Sequence, residues 1–169
     1  QSNGYITIDL SKTDNLPKEI EKILGKPEVD IFIDCVGFEA FGYGSKSHEG
    51  QPTRVIDSAI EITKVGGYIS LVGLYNNIDL LGKNENEKHG IYNLDLGQFW
   101  IKALTLVSGV APSIKYKREL MEVILSNRCN IAKEVNVKII SLDEAPEAYK
   151  KFSQGEPVKY LIDPHGLIS

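Results

Sequence analysis

The residues best placed to bind a ligand in this 169-residue chain are valine–glycine pairs that follow apolar runs. Val36-Gly37, Val72-Gly73 and Gly109-Val110 each close a run typical of a buried β-strand. Because the carboxyl ends of parallel strands meet at one edge of a sheet, we expect these pairs to lie together. Valine side chains there would support a flat ligand, and exposed backbone groups would hydrogen-bond to it. The alternative, that each glycine only makes a turn, stays open for any pair taken alone.

Other reactive side chains show no comparable pattern. The 3 histidines and 2 cysteines lack the spacing of a zinc site, which needs three or four convergent ligands. No Gly-x-Gly-x-x-Gly follows a predicted strand, so these residues include no pyrophosphate-binding turn. Lys159 could neutralise a phosphate. Alternatively, it is only an exposed lysine at the edge of a sheet. The sequence therefore predicts no catalytic residue and no metal ligand in this chain.

The elements that must position these pairs alternate along the chain. Strands are predicted at 5–10, 29–36, 68–73, 103–110, 135–140 and 158–162. Helices are predicted from Pro17 to Gly25, from Pro52 to Gly66-Gly67, from Tyr116 to Asn127 and from Pro146 to Phe152. Such alternation is typical of parallel strands joined by right-handed crossovers. We predict an α/β fold with a partial Rossmann-like, doubly wound parallel sheet, in which strand 29–36 is buried on both faces.

Composition narrows the classes of partner. The chain is 42% hydrophobic and 25% charged with a net charge of -4, and its basic residues are scattered. These values predict neither a nucleic acid nor a membrane as partner. No apolar run is long enough to span a bilayer, and the amino end has no signal-peptide pattern. We expect a cytoplasmic location with reduced Cys35 and Cys129, and a chain cut from a longer one, since it does not begin with Met.

Several segments together resemble one enzyme family. They are VDIFIDCVGFEA at 29–40, Leu74-Tyr75 after Val72-Gly73, PSIKYKRELM at 112–121, Asn130-Ile131-Ala132, IISLDEA at 139–145 and YLIDPH at 160–165. These motifs resemble glutathione-independent formaldehyde dehydrogenase, a zinc-dependent, NAD-linked member of the medium-chain alcohol dehydrogenase superfamily.

The resemblance covers only the carboxyl-terminal part of such an enzyme. It implies strands three to six of the NAD-binding domain at 1–134 and a return segment of the catalytic domain at 135–169. It also implies that the zinc ligands and the glycine fingerprint lie in a missing amino-terminal part. The implied activity is oxidation of formaldehyde or a small alcohol or aldehyde by hydride transfer to NAD, with the 169 residues alone inactive.

Matching positions imply a coenzyme site. Val36 and Gly37 resemble residues beside the adenosine of NAD, and Val72-Gly73-Leu74 resembles the segment that lines the nicotinamide. Gly109-Val110-Ala111 resembles a segment near the carboxamide, and Lys159 a residue that reaches the coenzyme phosphate. The chain departs from the family at Phe41 and Tyr43, where an Arg and a His contact the coenzyme, and at Val72, where a Pro stands. The choice between NAD and NADP and the substrate therefore stay open.

The missing strands also imply how the chain assembles. In the usual order 3-2-1-4-5-6, strands one and two separate 5–10 from 29–36, so these two segments cannot pair and 29–36 becomes an open edge. Strand 103–110 resembles the outer strand that pairs with its twin, which implies a homo-oligomer.

Two other functions stay open. One is a non-catalytic α/β module for ligand binding or assembly, because fold alone does not determine function. The other is a polyol or alcohol dehydrogenase of the same superfamily, with the long 75–97 loop shaping its pocket.

Overall fold

The computed structural model describes residues 4–76 and 82–168, which form two compact units that divide between Ala111 and Pro112. The first unit contains α1 (Leu16–Leu24), β1 (Val29–Asp34), α2 (Arg54–Ile62), β2 (Thr63–Leu71), α3 (Glu85–Lys88), α4 (Leu96–Ile101) and β3 (Thr105–Ser108). The second contains α5 (Ser113–Leu125), α6 (Ile131–Glu134), β4 (Val137–Ile140), α7 (Ala145–Ser153) and β5 (Lys159–Ile162). In these ranges no helix is both long and apolar enough to cross a membrane. The domain boundary at 134/135 stays a prediction for the intact protein.

The first unit is built on a parallel sheet of 3 strands in the order β1-β2-β3. Phe32 lies opposite Ile69, which lies opposite Leu106. Each crossover between neighbouring strands contains a helix, as parallel pairing requires. This arrangement confirms the α/β, Rossmann-like prediction.

One face of this sheet is covered by helices. Ile69 on β2 and Ala59 on α2 are both 0% exposed and share a cluster with Ile60 and Leu104. Burying a side chain the size of Ile69 contributes about 1.5–3 kcal/mol to folding. This contact packs α2 against β2. It therefore helps to set the position of the carboxyl end of β2.

The opposite face is open in the first unit. Ile31 and Ile33 on β1 are 61% and 59% exposed, and Tyr68 and Val107 on the neighbouring strands are 55% and 57% exposed. The prediction that β1 is buried on both faces is therefore wrong for this unit, because its helices pack against the other side. An uncovered apolar face of this kind needs a partner or tends to associate.

The strand predicted at 5–10 is wrong. Residues 5–9 have no regular structure, and a 3-10 turn follows at Leu10–Lys12, where the Asp9 carboxylate accepts a hydrogen bond from the amide of Ser11. A strand needs a neighbour to satisfy its backbone. Among the described residues, β1 pairs only with β2, so its outer edge is open, as the missing strands implied.

Helix α1 follows the sequence prediction. The Asn15 side chain caps the amide of Lys18, and Pro17 lies in the first turn, where its missing N–H costs nothing. Gly25 ends the helix with a φ of 74°, a left-handed conformation that favours glycine.

Helix α2 ends at Ile62, earlier than the predicted Gly66-Gly67. The Lys102 ammonium donates to the carbonyl oxygens of Ile60, Glu61 and Thr63 at 2.9, 2.6 and 3.1 Å. A cation at a helix C-terminus satisfies carbonyls that have no helical partner and complements the helix dipole. This contact over a long sequence separation ends the helix, which local sequence signals did not reveal.

In the second unit, β4 and β5 are parallel, with Ile140 opposite Ile162. Helix α7 buries Ala148, and before it the Glu144 carboxylate accepts from the amide and the hydroxyl of Ser141 at 2.8 and 2.9 Å. These hydrogen bonds, the amide first, lower the pKa of Glu144 below its usual value. In the pattern Ser141-x-x-Glu144, the glutamate side chain therefore bonds back to Ser141, as in one half of a capping box, just before α7.

The segment predicted as a long loop at 75–97 contains α3 and the start of α4. Asn84 and Asp95 cap these helices through their side chains. Residues 77–81 of this loop lie outside the described residues.

Candidate functional site

The three parallel strands end at the same level. Asp34 lies opposite Leu71, and Leu71 lies opposite Ser108, so these residues mark one rim of the sheet. Each valine–glycine pair begins within two residues of its strand end. Ligands of open α/β sheets bind outside such carboxyl ends. This rim is therefore the candidate site, and the structure brings its three strand ends together as the spacing predicted.

Two turns on the rim contact each other through their backbones. The amide of Phe38 donates to the carbonyl of Leu74 at 2.9 Å, and Gly37 forms a parallel bridge with Leu74. A Cβ on Gly37 would lie 2.2 Å from the Leu74 oxygen, and a Cβ on Gly73 would lie 2.2 Å from the Gly37 nitrogen. Gly37 also has a φ of 79°. These glycines therefore let the two turns meet each other, rather than only leaving room for a ligand.

Asp34 lies beneath both turns and is 0% exposed. Its Oδ1 accepts from the amides of Val36 and Gly37 at 2.8 and 2.9 Å. Its main-chain oxygen accepts from the amides of Val72 and Gly73 at 2.9 and 2.8 Å. A buried carboxylate is tolerated only when such bonds replace its hydration. Asp34 thus connects the first turn to the second.

Tyr75 completes the hydrogen bonding of Asp34. Its hydroxyl donates to Asp34 Oδ2 at 2.7 Å, and its ring meets Tyr92 edge-on with centroids 5.7 Å apart. Burial and, to a smaller extent, the hydrogen bond to the carboxylate raise the pKa of Tyr75, so the phenol keeps its proton even above the usual titration range of tyrosine. Sequence reasoning missed both residues as site members. The sequence did contain one signal for them: an aspartate at the end of an apolar strand. If such a carboxylate is buried, it requires hydrogen-bond donors nearby.

Above this support, the rim presents apolar side chains. Val36 is 52% exposed, and Val72 and Leu74 are each 62% exposed. Gly109 has a φ of 135° with no atom near its Cβ position, and Val110 is 96% exposed. The surface is open and largely apolar, which suits the face of a planar ring.

Lys159 belongs to the second unit. It is the first residue of β5, lies opposite Val137 and is exposed. Its amide donates to the carbonyl of Asn136 at 3.3 Å. The phosphate contact inferred for its side chain stays a prediction.

The two positions at which the chain departs from the family differ in burial. Tyr43 is 7% exposed, its hydroxyl lies 3.0 Å from Ser58 Oγ, and the Arg54 guanidinium stacks 4.0 Å from the centre of its ring. Phe41 is 58% exposed. Tyr43 is therefore part of the core, whereas Phe41 adds to the apolar surface of the loop after β1.

The described ranges contain no group of 3 or more His, Cys, Asp or Glu side chains that could hold a metal ion. These residues therefore do not fit a zinc site. The rim instead offers exposed apolar side chains, which are the usual lining of a site for an organic ligand.

Comparison with known sequences identifies relatives along the whole chain, whereas no protein-family model matches. The chain is 44% identical over 168 residues to the glutathione-independent formaldehyde dehydrogenase of Bacillus subtilis, covering 99% of this chain and 41% of that protein. It is 39% identical over 166 residues to the formaldehyde dismutase of Pseudomonas putida, covering 98% of this chain and 42% of that protein. The chain thus spans about two-fifths of the length of these curated relatives.

Solved structures show the same fold. Alcohol dehydrogenase TADH from Thermus sp. ATN1 superposes with a TM-score of 0.68 at 21% identity, over 95% of this chain and 39% of that one. The 2R,3R-butanediol dehydrogenase of Bacillus subtilis gives a TM-score of 0.61 at 22% identity, over 97% of this chain and 39% of that one. The sequence similarity confirms the resemblance: this chain is similar along its length to about two-fifths of a glutathione-independent formaldehyde dehydrogenase.

Proposed function

We propose that this chain forms the nicotinamide side of the coenzyme site in an NAD-dependent dehydrogenase that oxidises formaldehyde or a small alcohol or aldehyde. The observation that carries the proposal is the 44% identity to a formaldehyde dehydrogenase over 99% of the chain. The apolar rim at the carboxyl ends of β1, β2 and β3 supports it, because coenzymes of α/β proteins bind at such rims.

Each rim segment has a role in the proposal. Val36 and Gly37 lie beside the adenosine half of the coenzyme, and Val72-Gly73-Leu74 lines the nicotinamide. Gly109-Val110-Ala111 offers backbone groups near the carboxamide. Lys159 is not part of the rim, and its role at the coenzyme phosphate is proposed from the resemblance alone. The exposed apolar side chains of Val36, Val72 and Leu74 support this assignment, since they would lose contact with water when a ring covers them.

The coenzyme, when bound, supplies the acceptor for the hydride that leaves the substrate carbon. The residues of this chain orient the nicotinamide ring and exclude water from one of its faces. None of them is assigned to the bond-breaking step or to the zinc site, for which residues 4–76 and 82–168 provide no ligand set. We therefore expect the 169-residue chain alone to show no turnover, and zinc-dependent turnover by the purified chain would contradict this.

We also propose that β3 pairs with β3 of a second copy. All 4 residues of β3 are exposed, and in the described part of the chain its outer edge has no strand partner. A strand with unpaired N–H and C=O groups is a template for such pairing. A Val107→Pro variant, which removes one backbone donor, is expected to shift the molar mass measured by light scattering from dimer to monomer; an unchanged dimer would refute the pairing.

A cytoplasmic location is part of the proposal. Cys35 and Cys129 are both free thiols, which suits a reducing compartment.

The deciding experiment uses the full-length product of the gene that encodes these residues. We expect NADH to form when the purified protein receives NAD and formaldehyde, as followed by absorbance. Longer alcohols and polyols, supplied in parallel, determine the substrate class. Tight NAD binding without turnover of any of these compounds would favour a non-catalytic module, and absence of NAD binding would refute the proposal.

A second activity is supported by the 39% identity to a protein named formaldehyde dismutase. In dismutation, two formaldehyde molecules and one water give one formate and one methanol, so no NADH accumulates. Equal amounts of formate and methanol, formed without added NAD, would identify this reaction. Formate matched by NADH would identify the dehydrogenase instead.

A further inference from the structure

Asp34 and Tyr75 form a contact that neither the sequence motifs nor the similarity to known enzymes assigns to function. Asp34 is fully buried at the end of β1, and its Oδ2 is occupied by the Tyr75 hydroxyl at 2.7 Å. The two residues are separated by 41 positions, so the bond links two different strand ends. We propose that Asp34 and Tyr75 are positioning residues that hold the nicotinamide-lining turn at 72–74 against the turn at 36–37; this inference rests on the proposed function.

Both turns are hydrogen-bonded to one residue, Asp34. Oδ1 of Asp34 fixes the first turn through the amides of Val36 and Gly37. The main-chain oxygen of Asp34 fixes the second turn through the amides of Val72 and Gly73. Oδ2 then holds the chain two residues beyond Gly73 through Tyr75. Movement of Asp34 would therefore change the relative position of both turns.

The apolar side chains of the rim are positioned mainly by their backbone. Val36, Val72 and Leu74 are 52%, 62% and 62% exposed, so packing from above does not fix them. Their positions are set from below, by backbone contacts that leave no room for a Cβ on Gly37 or Gly73. The hydrogen bond from the Tyr75 hydroxyl to Asp34 adds a side-chain contact to these backbone contacts. The Tyr92 ring packs edge-on against the Tyr75 ring.

The hydrogen bond between Tyr75 and Asp34 cannot be replaced by one to water without a cost in free energy. A carboxylate oxygen that loses its partner in a buried place keeps the full penalty of desolvation. When Phe replaces Tyr75, the turn must open to admit water or leave Oδ2 unsatisfied. Because an unsatisfied Oδ2 is costly, opening is favoured. The nicotinamide-lining wall then loses its defined position, and coenzyme affinity falls.

The test uses the full-length gene product and NADH itself as the probe, with the dissociation constant measured by NADH fluorescence. Tyr75→Phe is expected to bind NADH about tenfold more weakly, the ratio that corresponds to losing one hydrogen bond to a charged group. Asp34→Asn is expected to remain within about threefold of wild type. Its amide oxygen still accepts from both backbone amides, and its NH₂ can donate to the Tyr75 hydroxyl.

Tyr160→Phe is the matched control, because it also removes a phenol bond to a carboxylate, that of Glu156, but in the second unit. It should bind NADH as wild type does. Asp34→Ala removes all side-chain bonds at once, and its melting temperature shows whether the site still folds. The asparagine variant keeps the proposal testable if the alanine variant does not fold.

Two outcomes separate this inference from the proposed function. A wild-type protein that binds no NADH overturns both. A wild-type protein that binds NADH while Tyr75→Phe binds equally well overturns the positioning role alone. A Tyr75→Phe protein with a lower melting temperature but unchanged affinity also overturns it.

Discussion

Replacing single glycines by alanine separates backbone strain from steric contact at the rim. Gly25 has a φ of +74° and nothing within 4 Å of the position a Cβ would take, so Gly25→Ala introduces strain alone. Gly73 has no positive φ, but its Cβ would lie 2.2 Å from the Gly37 nitrogen, so Gly73→Ala introduces contact alone. Gly37 combines a φ of +79° with a Cβ 2.2 Å from the Leu74 oxygen.

The expected losses in the free energy of unfolding follow from these geometries. A left-handed alanine costs about 1–2 kcal/mol, offset by up to about 1 kcal/mol from the stiffer unfolded chain, so Gly25→Ala should lose about 1 kcal/mol. A Cβ at 2.2 Å is more than 1 Å short of the 3.4 Å of ordinary contact. The opposing atoms belong to the backbone and cannot rotate away, so Gly73→Ala should lose about 3 kcal/mol. Gly37→Ala should lose about 4 kcal/mol, the sum of the two effects.

The assay is urea unfolding of the purified chain followed by far-UV circular dichroism, with unchanged slopes required for comparison. Gly50→Ala is the matched control, since Gly50 has open space and no positive φ. It should leave stability unchanged. If Gly73→Ala proves no more destabilising than Gly25→Ala, the two turns are not in backbone contact and the account of the rim is wrong.

Three further changes test other features of the fold. Lys102→Met removes the ammonium from the carbonyls at the end of α2 and should lower the free energy of unfolding by about 2 kcal/mol, checked by urea unfolding; a loss below about 0.5 kcal/mol would contradict the capping role. Ser141→Ala should raise the pKa of Glu144 toward its ordinary value, as measured by NMR titration. Because the folded-state pKa of Glu144 is lowered, its contribution to stability is present above the unfolded pKa and is lost as the pH falls through the folded pKa. Ser141→Ala should therefore make stability less sensitive to acid in that range, and an unshifted pKa would contradict the contact. Replacing Ile31 and Ile33 by Lys should reduce association beyond the β3-paired dimer, measured by analytical ultracentrifugation, because it places charges on the uncovered apolar face of the sheet; unchanged higher-order association would place that contact elsewhere.

The sequence alone determined most of the local structure. The proline at position 17 and the glycine at 25 located α1, because the residues that favour a helix end depend only on neighbouring residues. Apolar runs located β1, β2 and β3, and their valine–glycine endings predicted a common rim. The resemblance to formaldehyde dehydrogenases followed from motifs such as 29–40, and the sequence similarity to a known one confirmed it.

Contacts between distant residues were decided only by the tertiary structure. The segment 5–9 has strand-forming residues but no strand to pair with, so its propensity is not realised. Lys102 ends α2 from about 40 positions away. Gly37 and Gly73 proved to accommodate each other's backbone, and Asp34 and Tyr75 proved to join the two turns. None of these pairings has a local signature, because a hydrogen bond between separate strand ends depends on which strands become neighbours.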